Sequence, residues 1–247
     1  MSTLRVIKNP HEVQINPIKY KLDTEFEHVI PPLPNKTFFA IMVAKPASGK
    51  STTLSTLLTK KPNKDGMGFY RKQFENIYFV MPKNSLSNLP TNHPYHKHIN
   101  AEPESYFDEL NGDTLKVIMD QAKASALEGE KSLLVIDDEL AALKNPDVIR
   151  GLSEIASNRR HYSLSVFILS QVWNSVPLTI RKMISHAFIW RCSSREWESV
   201  YSEAFFSLNK AEAKELCEHA WSEDHGFVFI DMSTNKYYDS KLNELTF

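Results

Sequence analysis

Thr37-Phe-Phe-Ala-Ile-Met-Val-Ala-Lys-Pro-Ala-Ser-Gly-Lys-Ser-Thr52 is an apolar run ending in a small-residue loop closed by Gly49-Lys50-Ser51. Phe38 to Val43 has the length of a buried strand, and Leu54, Leu57 and Leu58 follow the loop at helical spacing. A strand, a tight loop and a helix in that order aim successive backbone N–H groups at one point, where the positive end of the helix dipole reinforces them. The stretch Ala44, Lys45, Pro46, Ala47, Ser48, Gly49, Lys50, Ser51, Thr52 therefore reads as a phosphate-binding loop. In such a loop Lys50 reaches the distal phosphates and the Ser51 hydroxyl holds Mg²⁺. Ala44 stands where the pattern has its first glycine, so the loop must begin in a conformation that accepts a Cβ.

A second apolar run, Ser132-Leu-Leu-Val-Ile-Asp-Asp-Glu139, has the form of a central parallel strand. It delivers carboxylates to its C-terminal end, where ligands of open α/β sheets bind. Asp137 is the expected second holder of the metal, and Asp138 the acid that prepares an attacking water, with Glu139 as a second candidate for that role. Taken alone, the three acids would as readily cap the following helix. Paired with the loop upstream, they are read as metal and water chemistry.

Length and composition frame these motifs. A chain of 247 residues that is 42% hydrophobic can bury one sizeable core, and it reads as one domain, residues 36–247, preceded by a polar arm over residues 1–35 that ends in Pro31-Pro32-Leu33-Pro34. The formal net charge of −1 gives no global basic field, so contact with nucleic acid has to be local. No segment has the apolar length of a membrane span, and the first residues lack the apolar stretch of a signal peptide, so the expectation is a soluble, unprocessed protein without a membrane partner. Cys192 and Cys217 have no metal-like spacing and read as reduced core or near-core thiols of an intracellular protein.

Strands and helices alternate along the chain. Strands are expected at Asn76–Met81, Ser165–Ser170 and His186–Arg191, with a polar stretch from Pro82 to about Asn111. Helices carry Leu115, Ile118, Met119, Ala122 and Ala126 on one face, and Val148, Ile149, Leu152, Ile155 and Ala156 on another, the latter started by Asn145-Pro146. Ser193 with Glu196 and Asn209 with Glu212 are capping boxes. Gly226–Asp231 and Tyr237–Tyr238 around Ser233–Lys236 predict a C-terminal β-hairpin. A whole strand separates the phosphate loop from the Asp137 strand, which suggests a sheet with an intervening strand of the kind that suits water-activating ATPases.

His93, His96 and His98 lack a matching cysteine or acid cluster and read as a solvated loop. Lys60, Lys61, Lys64, Arg71 and Lys72 read as a solvated basic surface, with DNA phosphates as the alternative partner. Trp197, Val200, Tyr201, Ala204 and Phe205 form a helical stripe for core packing or a subunit contact.

The third motif is Asn158-Arg-Arg-His-Tyr-Ser-Leu-Ser-Val-Phe-Ile-Leu-Ser-Gln171. Its strand ends in Gln171, a neutral amide able to sense a terminal phosphate, while Arg159 and Arg160 sit at the opposite entrance, too far away for the same site. They can serve a neighbour's site, where an arginine stabilises charge on a transferring phosphoryl. Equally, from the residues alone, the arginines suit a helix C-terminus and Gln171 a solvated loop.

Together, Ala44–Ser51, Leu133–Glu139, the Asn158–His161 arginines and Ser170-Gln171 resemble the FtsK/HerA branch of ring ATPases. Within that branch they are most similar to the genome-packaging ATPases of large double-stranded DNA viruses and virophages. The resemblance covers roughly residues 36 to 240, although only these four short motifs are specific. It implies an α/β P-loop NTPase with a mainly parallel five-stranded core sheet flanked by helices, ATP and Mg²⁺ as cofactors, and hydrolysis coupled to translocation of double-stranded DNA. It further implies a homo-oligomeric ring, pentamer or hexamer, capsid proteins as partners, and a place in the host cytoplasm, a viral factory or the virion. Residue by residue it carries over Lys50 and Ser51 for phosphate and Mg²⁺, Asp137 for metal, Asp138 as acid, Gln171 as sensor and Arg159 or Arg160 as finger. Many relatives have glutamate directly after the metal aspartate, so Asp138-Glu139 leaves the acid open. Two other classes fit the loop: a phosphotransferase acting on a small molecule, and a nucleotide-switched scaffold that translocates nothing.

Overall fold

The computed structural model describes residues 25–247. The arm expected over residues 1–35 lies outside the described residues as far as residue 24, as do the first residues, expected to lack a signal peptide. From residue 25 onward the arm packs on the domain, with Phe26, Val29 and Leu33 buried in the core.

The elements in order are β1 (Phe39–Val43), α1 (Lys50–Thr59), β2 (Asn76–Val80), α2 (Lys83–Ser87), α3 (Pro94–Ala101), β3 (Tyr106–Phe107), α4 (Gly112–Leu127), β4 (Ser132–Asp137) and α5 (Pro146–Asn158). Then come β5 (Leu164–Ser170), α6 (Leu178–Arg181), β6 (His186–Trp190), α7 (Ser194–Ala204), α8 (Lys210–Ala220), β7 (Phe227–Asp231), β8 (Lys236–Tyr238) and β9 (Glu244–Leu245). One sheet of nine strands runs β3-β2-β4-β5-β1-β6-β7-β8-β9. β3 through β6 pair in parallel, and β7, β8 and β9 extend the sheet antiparallel. The five expected parallel strands form its centre, and the C-terminal hairpin is β7–β8, joined edge to edge with β6.

Strand pleating sends alternate side chains to opposite faces, and both faces are covered. From β1, Phe39, Ile41 and Val43 enter a core shared with α4, α5, α7 and α8. Phe38, Ala40, Met42 and Ala44 enter a second core with Leu54 and Leu57 of α1, Tyr95 and Ile99 of α3, and the Phe26–Leu33 segment. Central strands buried on both faces need continuous apolar runs, which is why those strands were legible in the sequence.

One strand does separate β1 from β4, but it is β5, which follows both in sequence; β2, which lies between them in sequence, sits beyond β4. The polar stretch 82–111 is not a plain loop, since it folds as α2, α3 and β3. The Asn209–Glu212 capping box is complete, whereas Ser193 accepts from the Glu196 N–H without the reciprocal bond, because the Glu196 carboxylate accepts from the Trp173 N–H instead. Among the described residues, no helix is long and apolar enough to cross a membrane.

Candidate active site

β1 is buried along its whole length, so its end projects the loop 44–49 at a fixed height. The turn is made by Ala47 at φ 61° and Gly49 at φ 99°. Gly49 is the residue that opens α1, and left-handed backbone costs it no Cβ strain. Ala44 is not among the residues with positive φ, so the Cβ at the pattern's first glycine is accommodated. α1 begins with no side-chain cap and no acid in its first turn, leaving its first N–H groups for an anion. The loop frames a cavity of about 320 Å³.

Lys50 folds back so that Nζ donates to Ala44 O at 2.8 Å. Burial lowers its affinity for a proton, and the Asp137 and Asp138 carboxylates oppose that shift. Ser51 Oγ faces Asp137 Oδ2 at 3.4 Å, longer than a well-formed O–H···O bond. Two hard oxygen donors from α1 and β4 so placed suit a small divalent cation. The Asp137 carboxyl is pushed up to about 6, chiefly by burial, against the pull of Lys50 and with the help of Asp138.

Asp138 follows β4 in left-handed backbone at φ 60°, which aspartate tolerates better than most residues. Its Oδ1 accepts from Gln171 Nε2 at 3.1 Å and its Oδ2 from Ser85 Oγ at 2.6 Å. β4 and β5 are neighbours, so the residues just past their C-terminal ends meet. Gln171 stands on an anchored loop. The Trp173 N–H is held by Glu196, and Arg181 binds Glu203 through Nε and Nη2 at 2.7 and 2.8 Å while Nη1 donates to Val176 O at 2.8 Å.

The other candidates lie elsewhere. Glu139 is half-buried with its carboxylate toward the Leu110 N–H, and burial raises its pKa. Its Oε1 is buried without a hydrogen bond. Arg159 caps α5 and donates through Nη1 to Ala156 O at 2.6 Å, and Arg160 beside it is exposed. Both precede β5, whereas Gln171 follows it, a strand length of roughly 20 Å. The histidines of the 93–98 stretch pin α3: His93 accepts from the Tyr95 N–H, and His98 Nε2 lies 3.0 Å from Ile77 O. Cys217 is buried and Cys192 half-buried, with burial raising both thiols, Cys192 to about 11.

Sequence reading missed two residues at this site. Ser85 stands just past β2, which neighbours β4, and the gathering of strand C-terminal ends is the signal that could have found it. His225, which precedes β7 and lies 177 residues from its contact, places Nδ1 3.3 Å from Ser48 O and lines the loop's cavity. No local pattern announces it.

A family described as "Poxvirus A32 protein" matches residues 25–218. No curated protein matches the chain. Among solved structures, that of B204, the DNA-packaging ATPase of Sulfolobus turreted icosahedral virus, is similar with a TM-score of 0.58 at 14% identity, over 82% of this chain and 96% of that one. The genome-packaging NTPase B204 of Sulfolobus turreted icosahedral virus 2, in complex with ATP-gammaS, gives 0.55 at 14% identity over the same shares. At such identities the likeness is one of fold, and the fold is that of a P-loop NTPase.

Proposed function

Because this chain belongs to the poxvirus A32 protein family, we propose that it is an ATP-hydrolysing motor that translocates double-stranded DNA into a capsid. The observation that carries this reading is the meeting of Lys50, Ser51, Asp137, Asp138 and Gln171 past the C-terminal ends of three adjacent strands. Its fold, shared with structures described as packaging ATPases, supports the same reading. The ATPase domain is residues 36–247, and residues 1–35 are its arm.

In this mechanism the N–H groups from Ala47 to Thr52 and the Lys50 ammonium hold the triphosphate. Magnesium, when bound by Ser51 and Asp137, neutralises phosphate charge. Asp138 orients a water, with Gln171 and Ser85 fixing both carboxylate oxygens. As the water oxygen bonds to the γ-phosphorus, its proton passes to Asp138 and the bond to the β-phosphate oxygen breaks, leaving ADP and phosphate. Glu139 is set aside from this step because its carboxylate is engaged by the Leu110 N–H. Arg160, the more exposed arginine, stabilises the γ-phosphoryl of a neighbouring subunit's site. The working form is accordingly a ring, a pentamer or hexamer, docked on capsid proteins at the site of virion assembly.

The test is phosphate release by the purified protein with Mg²⁺ and ATP, titrated with linear duplex DNA, with sizing of the same sample. Hydrolysis stimulated by DNA in an oligomer, and abolished in Lys50→Ala, is the expected result. DNA-indifferent phosphate transfer by a monomer would favour a phosphotransferase, and binding without turnover a scaffold.

A further inference from the structure

β1 lies between β5 and β6, so the phosphate loop that follows it has two different flanks. On the β4–β5 flank stand Asp137, Asp138 and Gln171, where bonds are made and broken. A nucleotide whose terminal phosphate points there must send its nucleoside to the β6–β7 flank.

That flank is furnished. A recess of about 260 Å³ adjoins the phosphate cavity, and Thr52 and Thr53 of α1 line both. Its walls include Phe69, Phe188, Phe227 and Leu242. His225 lines the phosphate cavity, and its neighbours in the chain include Phe227 of the recess wall; it is held by its backbone, since Trp190 Nε1 donates to His225 O at 2.9 Å, and φ is 61°. The next residue is fixed too, since a Cβ on Gly226 would lie 2.2 Å from Ala220 O. A histidine kept in left-handed backbone so that its ring leans on the phosphate loop is strain maintained by its surroundings. Ser48 O can only accept, so the bond to His225 needs Nδ1–H, and in the neutral ring Nε2 is then an acceptor. An acceptor there suits a sugar hydroxyl and repels a phosphate oxygen.

We propose that the nucleoside half of the nucleotide lies on the β6–β7 side of the phosphate loop, its purine in this recess and a sugar hydroxyl donating to His225 Nε2. The inference rests on the nucleotide reading given above and adds where base and sugar are recognised. Flat apolar walls with a few polar groups are the usual make-up of such subsites.

Equilibrium binding of ATP, 2′,3′-dideoxyATP and inorganic tripolyphosphate to the full chain tests it. Wild type should prefer ATP to the dideoxy analogue by about fivefold, the worth of one hydrogen bond. Thr56→Trp, an exposed substitution on α1 that fills the recess, should weaken ATP about tenfold while leaving tripolyphosphate unchanged, which also shows that the variant is folded. His225→Asn, which tolerates the same backbone but cannot reach, should bind ATP and the dideoxy analogue equally. Thr56→Trp binding ATP like wild type, or His225→Asn retaining the full preference, would overturn the inference even if Lys50→Ala loses all three probes. Lys50→Ala binding all three like wild type would instead overturn the phosphate-site reading, and the inference with it.

Discussion

Asp137 carries opposing demands. Its folded value near 6 lies above the ordinary carboxylate value of 3.8, so burial holds the charged form at a cost. For a group raised in this way, its share of stability is fully present below about pH 4 and lost as pH rises through 6. Asp137→Asn should therefore stabilise the ligand-free protein by about 2–3 kcal/mol at neutral pH, a gain that fades toward pH 4, while abolishing phosphate release. Urea unfolding at both pH values, with an ATPase assay, checks it; an Asn variant less stable than wild type at neutral pH would contradict it. The gathering of Lys50, Ser51, Asp137, Asp138 and Gln171 was legible because each is adjacent in sequence to an apolar strand or helix that fixes its position. Ser85 and His225 were not, since each reaches the site from a polar segment whose place depends on the finished sheet.

Among the elements, the connection from β5 to α6 decides how firmly Gln171 is held. The Arg181 side chain is 9% exposed, and its partner Glu203 also accepts from Trp173 Nε1 at 3.2 Å. Arg181→Ala leaves the half-buried Glu203 with one partner fewer and should cost about 1–3 kcal/mol by denaturant unfolding. Turnover should fall along with it while nucleotide binding changes less, because the phosphate loop lies on a different strand. Strands and long helices could be read from period and apolar content. The folded insert between β2 and α4 could not, because α3 buries only Tyr95 and Ile99 and is started by a histidine, signals too sparse to distinguish from a loop. Gly151, silent in the sequence as a mid-helix glycine, has a packing reason: a Cβ there would lie 2.8 Å from Leu115 Cδ1, so it lets α5 approach α4.

At the scale of the molecule, the sheet places Arg159 and Arg160 at the opposite end of β5 from Gln171, and a subunit cannot fold its own arginines onto its own phosphates. If the finger acts between subunits, Arg160→Ala and Lys50→Ala proteins, each inactive alone, should regain phosphate release when mixed, and specific activity should rise with protein concentration. Mixtures that stay inactive at every ratio would remove the arginine from the mechanism. That the arginines face away from their own site was legible from strand direction alone; the antiparallel joining of β7–β8 to β6, and with it the second flank of the phosphate loop, was not, because a hairpin's attachment is a long-range pairing with no local signature.

The nine-stranded sheet begins with β3 and ends with β9, each two residues long. Among the described residues, outermost strands so brief are poor templates for another chain to pair with. If copies of this protein assemble as proposed, contacts between side chains would form a joint that can roll and be remade with each turnover, where a shared sheet could not.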